Sequence, residues 1–237
     1  MSEALATLLN RMSQTDYLDI FLWPCIIIAL CIEIRFLRET KAILPLFLYT
    51  VATFLFYIIS YIPVFRRQAS TDFFFEGLNI SFALIEYSLF YFYFKRVLSS
   101  IFTKVFMPYF IIPFTLTIAI YYYRGIFISD ADIIVKKIPD FFISLELLLL
   151  AIPCFIYYYE LLKMKRMTNL TANPSFWIVT GLLFYSITII PFFIISRELQ
   201  HSKETLYRAA YALHYILFGF LFLAITRAIL CKKPLTT

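Results

Sequence analysis

Glu86, Glu146 and His214 each stand inside a long run of apolar and aromatic residues. An ionisable side chain at such a place costs about 2.5–3.5 kcal/mol for Asp, Lys or Arg on insertion scales when the run crosses a bilayer. It persists when it faces the interior of a helix bundle and finds a partner there. Two carboxyls and an imidazole so placed have a short list of uses: anchoring a polar ligand, switching on protonation, or holding neighbouring helices together by hydrogen bonds. With about 3.6 residues per turn, Glu76, Asn79, Ala83, Glu86, Tyr87 and Phe90 share one stripe, and Leu78, Ile85, Leu89 and Phe92 share the opposite side. This inverts the soluble amphipathic pattern, so the polar stripe is expected to face inward.

The same pattern recurs further along the chain. Glu146, Leu150, Pro153, Tyr157 and Glu160 share a face, as do Tyr207, Tyr211, His214 and Phe218. Gly181, Tyr185 and Thr188 form a third. The expectation is a carboxylate–imidazole–tyrosine cluster whose ligand-binding residues are Asn79, Glu86, Glu146, Tyr185, Tyr211 and His214. Counted from the ends of the apolar runs, Glu86 lies about 20 Å deep and Glu146 about 8 Å deep at 1.5 Å per residue. That gap of about 12 Å speaks against a catalytic carboxylate dyad.

Other chemistries lack their residues. The two histidines, His201 and His214, are about 20 Å apart along one helical path and form no HExxH, so no metal site is expected. The last apolar run holds no lysine for a retinal-type Schiff base. Neither GxSxG nor a glycine-rich phosphate loop occurs. No catalytic residue, enzyme activity or cofactor is expected. Cys25, Cys31, Cys154 and Cys231 form no CxxC pair and read as free, small, buried apolar residues.

The elements that must position these groups are transmembrane helices. Of 237 residues, 62% are hydrophobic and only 15% charged, with a mean hydropathy of +0.83. Soluble domains carry about 25% charged residues. Seven stretches reach the roughly 20 residues a spanning helix needs: Tyr17–Phe36, Ala42–Val64, Phe73–Phe94, Ile101–Tyr123, Phe141–Leu162, Phe176–Ser196 and Leu206–Leu230. The runs are continuous rather than alternating, which disfavours a β-barrel. The expected fold is all-α, a seven-transmembrane-helix bundle over 17–230. Residues 1–16 are expected to form an interfacial segment and 231–237 a short cytoplasmic tail.

Grouping the 21 basic residues by loop puts twelve on one side and nine on the other. The positive-inside rule then places the N-terminus outside and the C-terminus in the cytoplasm. The net charge of +6 would meet anionic lipid there, so membrane lipids are the expected partner and nucleic acid is not. Asn173 is a good N-cap, with Pro174 at the first helical position. Tyr121–Tyr123 and Tyr157–Tyr159 are expected in the interfacial belts. The longest loop, Arg124–Asp140, would carry a short turn capped by Ser129 and bearing Ile133, Ile134 and Ile138. Low glycine content and the absence of a visible repeat disfavour a broken-helix transporter.

Asn173-Pro174-Ser175-Phe176-Trp177-Ile178 with Gly181-Leu182-Leu183-Phe184-Tyr185 resembles a recurring sixth-helix segment. It occurs in a group of small, uncharacterised bacterial seven-helix membrane proteins. Leu213-His214-Tyr215-Ile216-Leu217 is similar to that group's seventh helix, and Asn79 with Glu86-Tyr87 to its third. The group often carries a His and a Tyr between that Asn and Glu, where this chain has Ile80-Ser81-Phe82. The resemblance implies association with a separate sensor histidine kinase. The expected function is a sensory or signal-transducing component of the bacterial inner membrane without its own output domain. It would detect a small or lipid-derived ligand in the outer half of the bundle. The alternatives are a small-solute or proton transporter or channel, and a structural membrane subunit.

Overall fold

The computed structural model describes residues 14–37, 43–61, 71–98, 100–127, 133–163, 170–202 and 204–231. Among them there is no strand, and seven long helices account for nearly the whole. They are α1 (Gln14–Leu37), α2 (Leu44–Tyr61), α3 (Thr71–Val97), α4 (Met107–Phe127), α5 (Ile133–Lys163), α6 (Pro174–Ser202) and α7 (Glu204–Ile229). One helix corresponds to each apolar stretch of the sequence. Four of them, α4 to α7, are long and apolar enough to cross a membrane, and α2 is a shorter apolar helix. Residues 1–13, 232–237 and Ser129 lie outside the described residues, and with them most of the interfacial segment, most of the tail and the expected loop cap.

Six helices close a ring in the order α1–α2–α3–α5–α6–α7, with α7 returning to α1. Helix α4 stands outside it and packs chiefly on α3. Its buried side chains, Met107, Phe114 and Tyr121, recur every seven residues, the spacing of a single helix face. Its opposite face, from Tyr109 through Ile112, Leu116 and Ile120 to Tyr123, is exposed. Tyr87 on α3 donates to the Met107 carbonyl at 3.0 Å, tying the start of α4 to the ring. A π-helical turn, Phe102–Phe106, leads into α4, and Thr103 inside it donates to the Ser100 carbonyl at 2.8 Å.

The polarity of the molecule is inverted relative to a soluble protein. Large apolar side chains such as Phe184, Ile194, Ile112 and Leu162 are exposed, while Glu33, Glu86, Glu146 and several Thr and Ser residues are buried. In lipid this arrangement satisfies both surfaces. Close helix contacts use single glycines rather than a GxxxG pair. A Cβ on Gly181 would lie 2.8 Å from the Ala224 Cβ, so α6 and α7 meet there with their backbones near contact. Gly219 on α7 gives the same room to the ring of Phe21 on α1.

The start of α6 is as the sequence indicates. The Asn173 side-chain oxygen accepts the Ser175 amide at 3.0 Å, and Pro174 begins the helix. The start of α5 differs from expectation. The helix begins at Ile133, not near Phe141, and absorbs the turn expected to carry Ile133, Ile134 and Ile138. Lys136, Lys137 and Asp140 interrupt the apolar run, but all three are compatible with helix.

The tyrosine triplets are also only partly interfacial. Tyr121 is buried and donates to Glu76 Oε2 at 2.9 Å, while Tyr123 is exposed. Tyr157 is buried and accepts from the Asn173 side chain at 3.2 Å, whereas Tyr159 is exposed. Three consecutive helical residues point about 100° apart, so they cannot share one face. All four cysteines are free; Cys25 and Cys154 are buried, Cys31 is exposed and Cys231 is half-buried.

Candidate functional site

Helix α3 turns Ala83, Glu86, Tyr87 and Phe90 inward and exposes Ile85 and Phe92. The inward stripe is therefore the one its spacing indicates. Asn79 falls outside it. The side chain is exposed, because the buried stripe passes through Ile80 instead. The structure thus separates Asn79 from the other expected site residues.

Glu86 receives a hydrogen bond from a residue the sequence reading did not single out. Tyr49 on α2, itself buried, donates to Glu86 Oε1 at 3.0 Å. The ring of Tyr49 stacks on Phe222 of α7 at 5.7 Å and also touches Phe90. Helix α2 places its next residue, Thr50, 3.0 Å from Oε1 of Glu33 on α1. Glu33 is fully buried, and its second carboxyl oxygen has no hydrogen-bond partner among the described residues. Adjacent residues on one helix therefore attend two carboxyls on different helices.

Both missed residues left signals in the sequence. Leu22, Cys25, Ile26, Ala29 and Glu33 lie on one helical face, all buried. Tyr49, Thr50, Thr53 and Tyr57 make a polar stripe on an otherwise apolar helix, and all four are buried.

Glu146 is also buried, and its Oε1 has no hydrogen-bond partner among the described residues. It lies within electrostatic reach of Glu86, and both carboxyls are in reach of Tyr49 and Tyr185. The depth gap expected from the sequence shrinks once the helix starts are known. Glu86 is 15 residues from Thr71 and Glu146 is 13 from Ile133, or about 22 and 20 Å along their helices at 1.5 Å per residue.

Tyr185 lies near both the carboxyls and the imidazole. It is buried, with its ring centroid 5.7 Å from that of His214. Four further rings surround His214: Phe193 at 5.7 Å, Tyr211 at 6.0 Å, Tyr215 at 5.6 Å and Phe218 stacked at 5.9 Å. Nδ1 of His214 is buried without a hydrogen-bond partner among the described residues. Thr188 is exposed and takes no part. Of the six expected site residues, the structure gathers Glu86, Glu146, Tyr185, Tyr211 and His214 around the interior faces of α3, α5, α6 and α7.

Chemically, the cluster offers two buried polar atoms without a hydrogen-bond partner among the described residues, Glu146 Oε1 and His214 Nδ1, each near Tyr185. A small group with both donor and acceptor capacity suits them. Among the described residues no three His, Cys, Asp or Glu side chains gather as metal ligands would.

A second feature lies at one end of the bundle. Arg35, Lys95, Lys163 and Arg227 belong to the last turns of α1, α3, α5 and α7. Each places its cationic group over an aromatic ring: Phe36, Tyr91, Tyr159 and Trp177 respectively, at 4.3 to 5.9 Å. Basic side chains beside rings at helix ends are the pattern of a membrane–water interface. Comparison of the chain with protein-family profiles, with curated proteins and with solved structures finds no match.

Proposed function

We propose that the chain is a multi-pass sensory component of the bacterial inner membrane. In this reading all seven helices cross the bilayer, with the N-terminus outside and the basic, aromatic-lined end in the cytoplasm. The inverted polarity supports the membrane placement, and the clustered cations support the orientation. The observation that carries the functional reading is the pair of buried atoms on Glu146 and His214 that have no hydrogen-bond partner among the described residues, both groups lying near Tyr185. An unsatisfied buried polar group costs about 1–3 kcal/mol, a cost that a ligand bonding to both groups would offset. The ligand is a small or lipid-derived molecule entering from the outer half. Its binding shifts the population of helix packings. A separate partner, of the sensor histidine kinase class that the resemblance implies, reads the change at the basic end.

One observation favours a second reading. Tyr49 and Thr50 connect Glu86 to Glu33 toward the basic end, and strings of carboxyls of this kind occur in proton relays. Proton flux into vesicles reconstituted with the purified chain separates the two. The sensor reading expects flux no greater than that of empty vesicles. Flux that is lost in Glu86→Gln or Glu33→Gln would establish the relay instead.

A further inference from the structure

On the outer surface of α6 and α7 lies a groove of about 420 Å³. Its walls are Phe184 and Tyr185 of α6 and Leu217 and Phe220 of α7, and Gly181 and Ala224 also line it. Phe184 and Phe220 are exposed and stand as rims. The floor exists because Gly181 has no side chain: a Cβ there would meet Ala224. The lining is almost wholly apolar until the basic end, where Trp177 and Arg227 close it.

Arg227 makes this more than an apolar face. Its guanidinium lies 5.5 Å from the Trp177 ring centroid. It has no acidic partner among the described residues, and its one side-chain hydrogen bond is to the Cys231 sulfur at 3.7 Å. The groove runs along α7 from Leu217 to Arg227, ten residues or about 15 Å. That is half of a hydrocarbon core about 30 Å thick, one leaflet. Both flanking helices are long and apolar enough to cross a membrane, and Trp177 at the groove's end is the residue type that marks the headgroup level.

We infer that this groove binds one anionic phospholipid of the leaflet at the basic end, with an acyl chain between Phe184 and Phe220 and its phosphate on Arg227. Two features of the groove select that occupant: a slot one leaflet long, and a cation with no acidic partner among the described residues where the headgroup would lie. The site does not rest on the function of the buried cluster and needs only that α6 and α7 cross the membrane. Tyr185 belongs to both, since it lines the groove and touches His214. An occupied groove would therefore press on the cluster from outside.

The protein carries its own reporter. It has two tryptophans, Trp23 and Trp177, so Trp23→Phe leaves Trp177 alone beside the groove. The full chain is reconstituted in vesicles containing acyl-brominated phosphatidylglycerol or acyl-brominated phosphatidylcholine at equal mole fraction, and Trp177 quenching is measured. The expected result is about fivefold preferential quenching by the anionic lipid, the factor for one basic side chain near headgroups of net negative charge, which zwitterionic phosphatidylcholine lacks. Arg227→Gln should abolish the preference and Arg227→Lys should keep it. Ala224→Phe, which fills the floor, should lower quenching by both lipids. Circular dichroism of each variant checks that the helices remain. Equal quenching by the two lipids in the Trp23→Phe protein, or a preference that survives Arg227→Gln, overturns the site. So does the absence of quenching by either lipid together with cross-linking of two copies through α6 and α7, which would make a second chain the occupant.

Discussion

Tyr49 donates a hydrogen bond to Glu86 from across the ring, while Glu146 Oε1 has no donor among the described residues. This difference predicts opposite responses to substitution. Tyr49→Phe leaves the Glu86 oxygen without its donor, and should destabilise the bundle by about 1–3 kcal/mol, read as a lower unfolding midpoint in detergent. Glu146→Leu removes a buried carboxyl whose Oε1 has no partner among the described residues, so its midpoint should stay level or rise. A clear fall for Glu146→Leu would make Glu146 a structural tie rather than a site held open for a ligand. His214→Phe belongs to the same class, because the imidazole already sits among five aromatic rings. The insertion cost of charge made Glu86, Glu146 and His214 legible in the sequence. It hid Glu33, which lies three residues from the expected end of its span and so reads as interfacial. Asn79 shows the limit of a stripe read at 100° per residue: one position of rotation separates it from the buried Ile80.

At the scale of the helix, the most demanding contact is Gly181 against Ala224. Gly181→Val must push α6 from α7, and should cost about 1–3 kcal/mol as overpacking does, with loss of the monodisperse peak on size exclusion. Helix α4 makes the contrasting prediction. Its exposed stripe faces lipid in this account, so Ile112→Val should be silent. Leu116→Arg, near the middle of the helix, should reduce membrane insertion by about 2.5–3.5 kcal/mol, measured as the inserted fraction in a glycosylation-mapping assay. Efficient insertion of Leu116→Arg would show that this face does not meet lipid. The number and order of helices were legible because each apolar run is long. Their ends were not: Lys136, Lys137 and Asp140 lower hydropathy without breaking a helix, so α5 starts eight residues earlier than the apolar run. Counted from that start, Glu146 lies nearly as far along α5 as Glu86 does along α3. The tyrosine triplets were misread for a related reason, since composition marks a belt but rotation decides which ring reaches it.

For the whole molecule, the closed ring of six helices with α4 outside could not be read from the chain, because hydropathy counts spans without saying which ones touch. Orientation rests on the cations at the ends of α1, α3, α5 and α7. A C-terminal alkaline phosphatase, active only outside the cytoplasm, should therefore be silent, and activity there would reverse the topology. The central claim is that the buried cluster informs a separate signalling protein. Its most direct measurement is affinity capture of the tagged chain from native membranes at native expression, with mass spectrometry of what accompanies it. The account predicts a sensor histidine kinase recovered in near-stoichiometric amount. Repeated recovery of the chain with no specific signalling partner would contradict it.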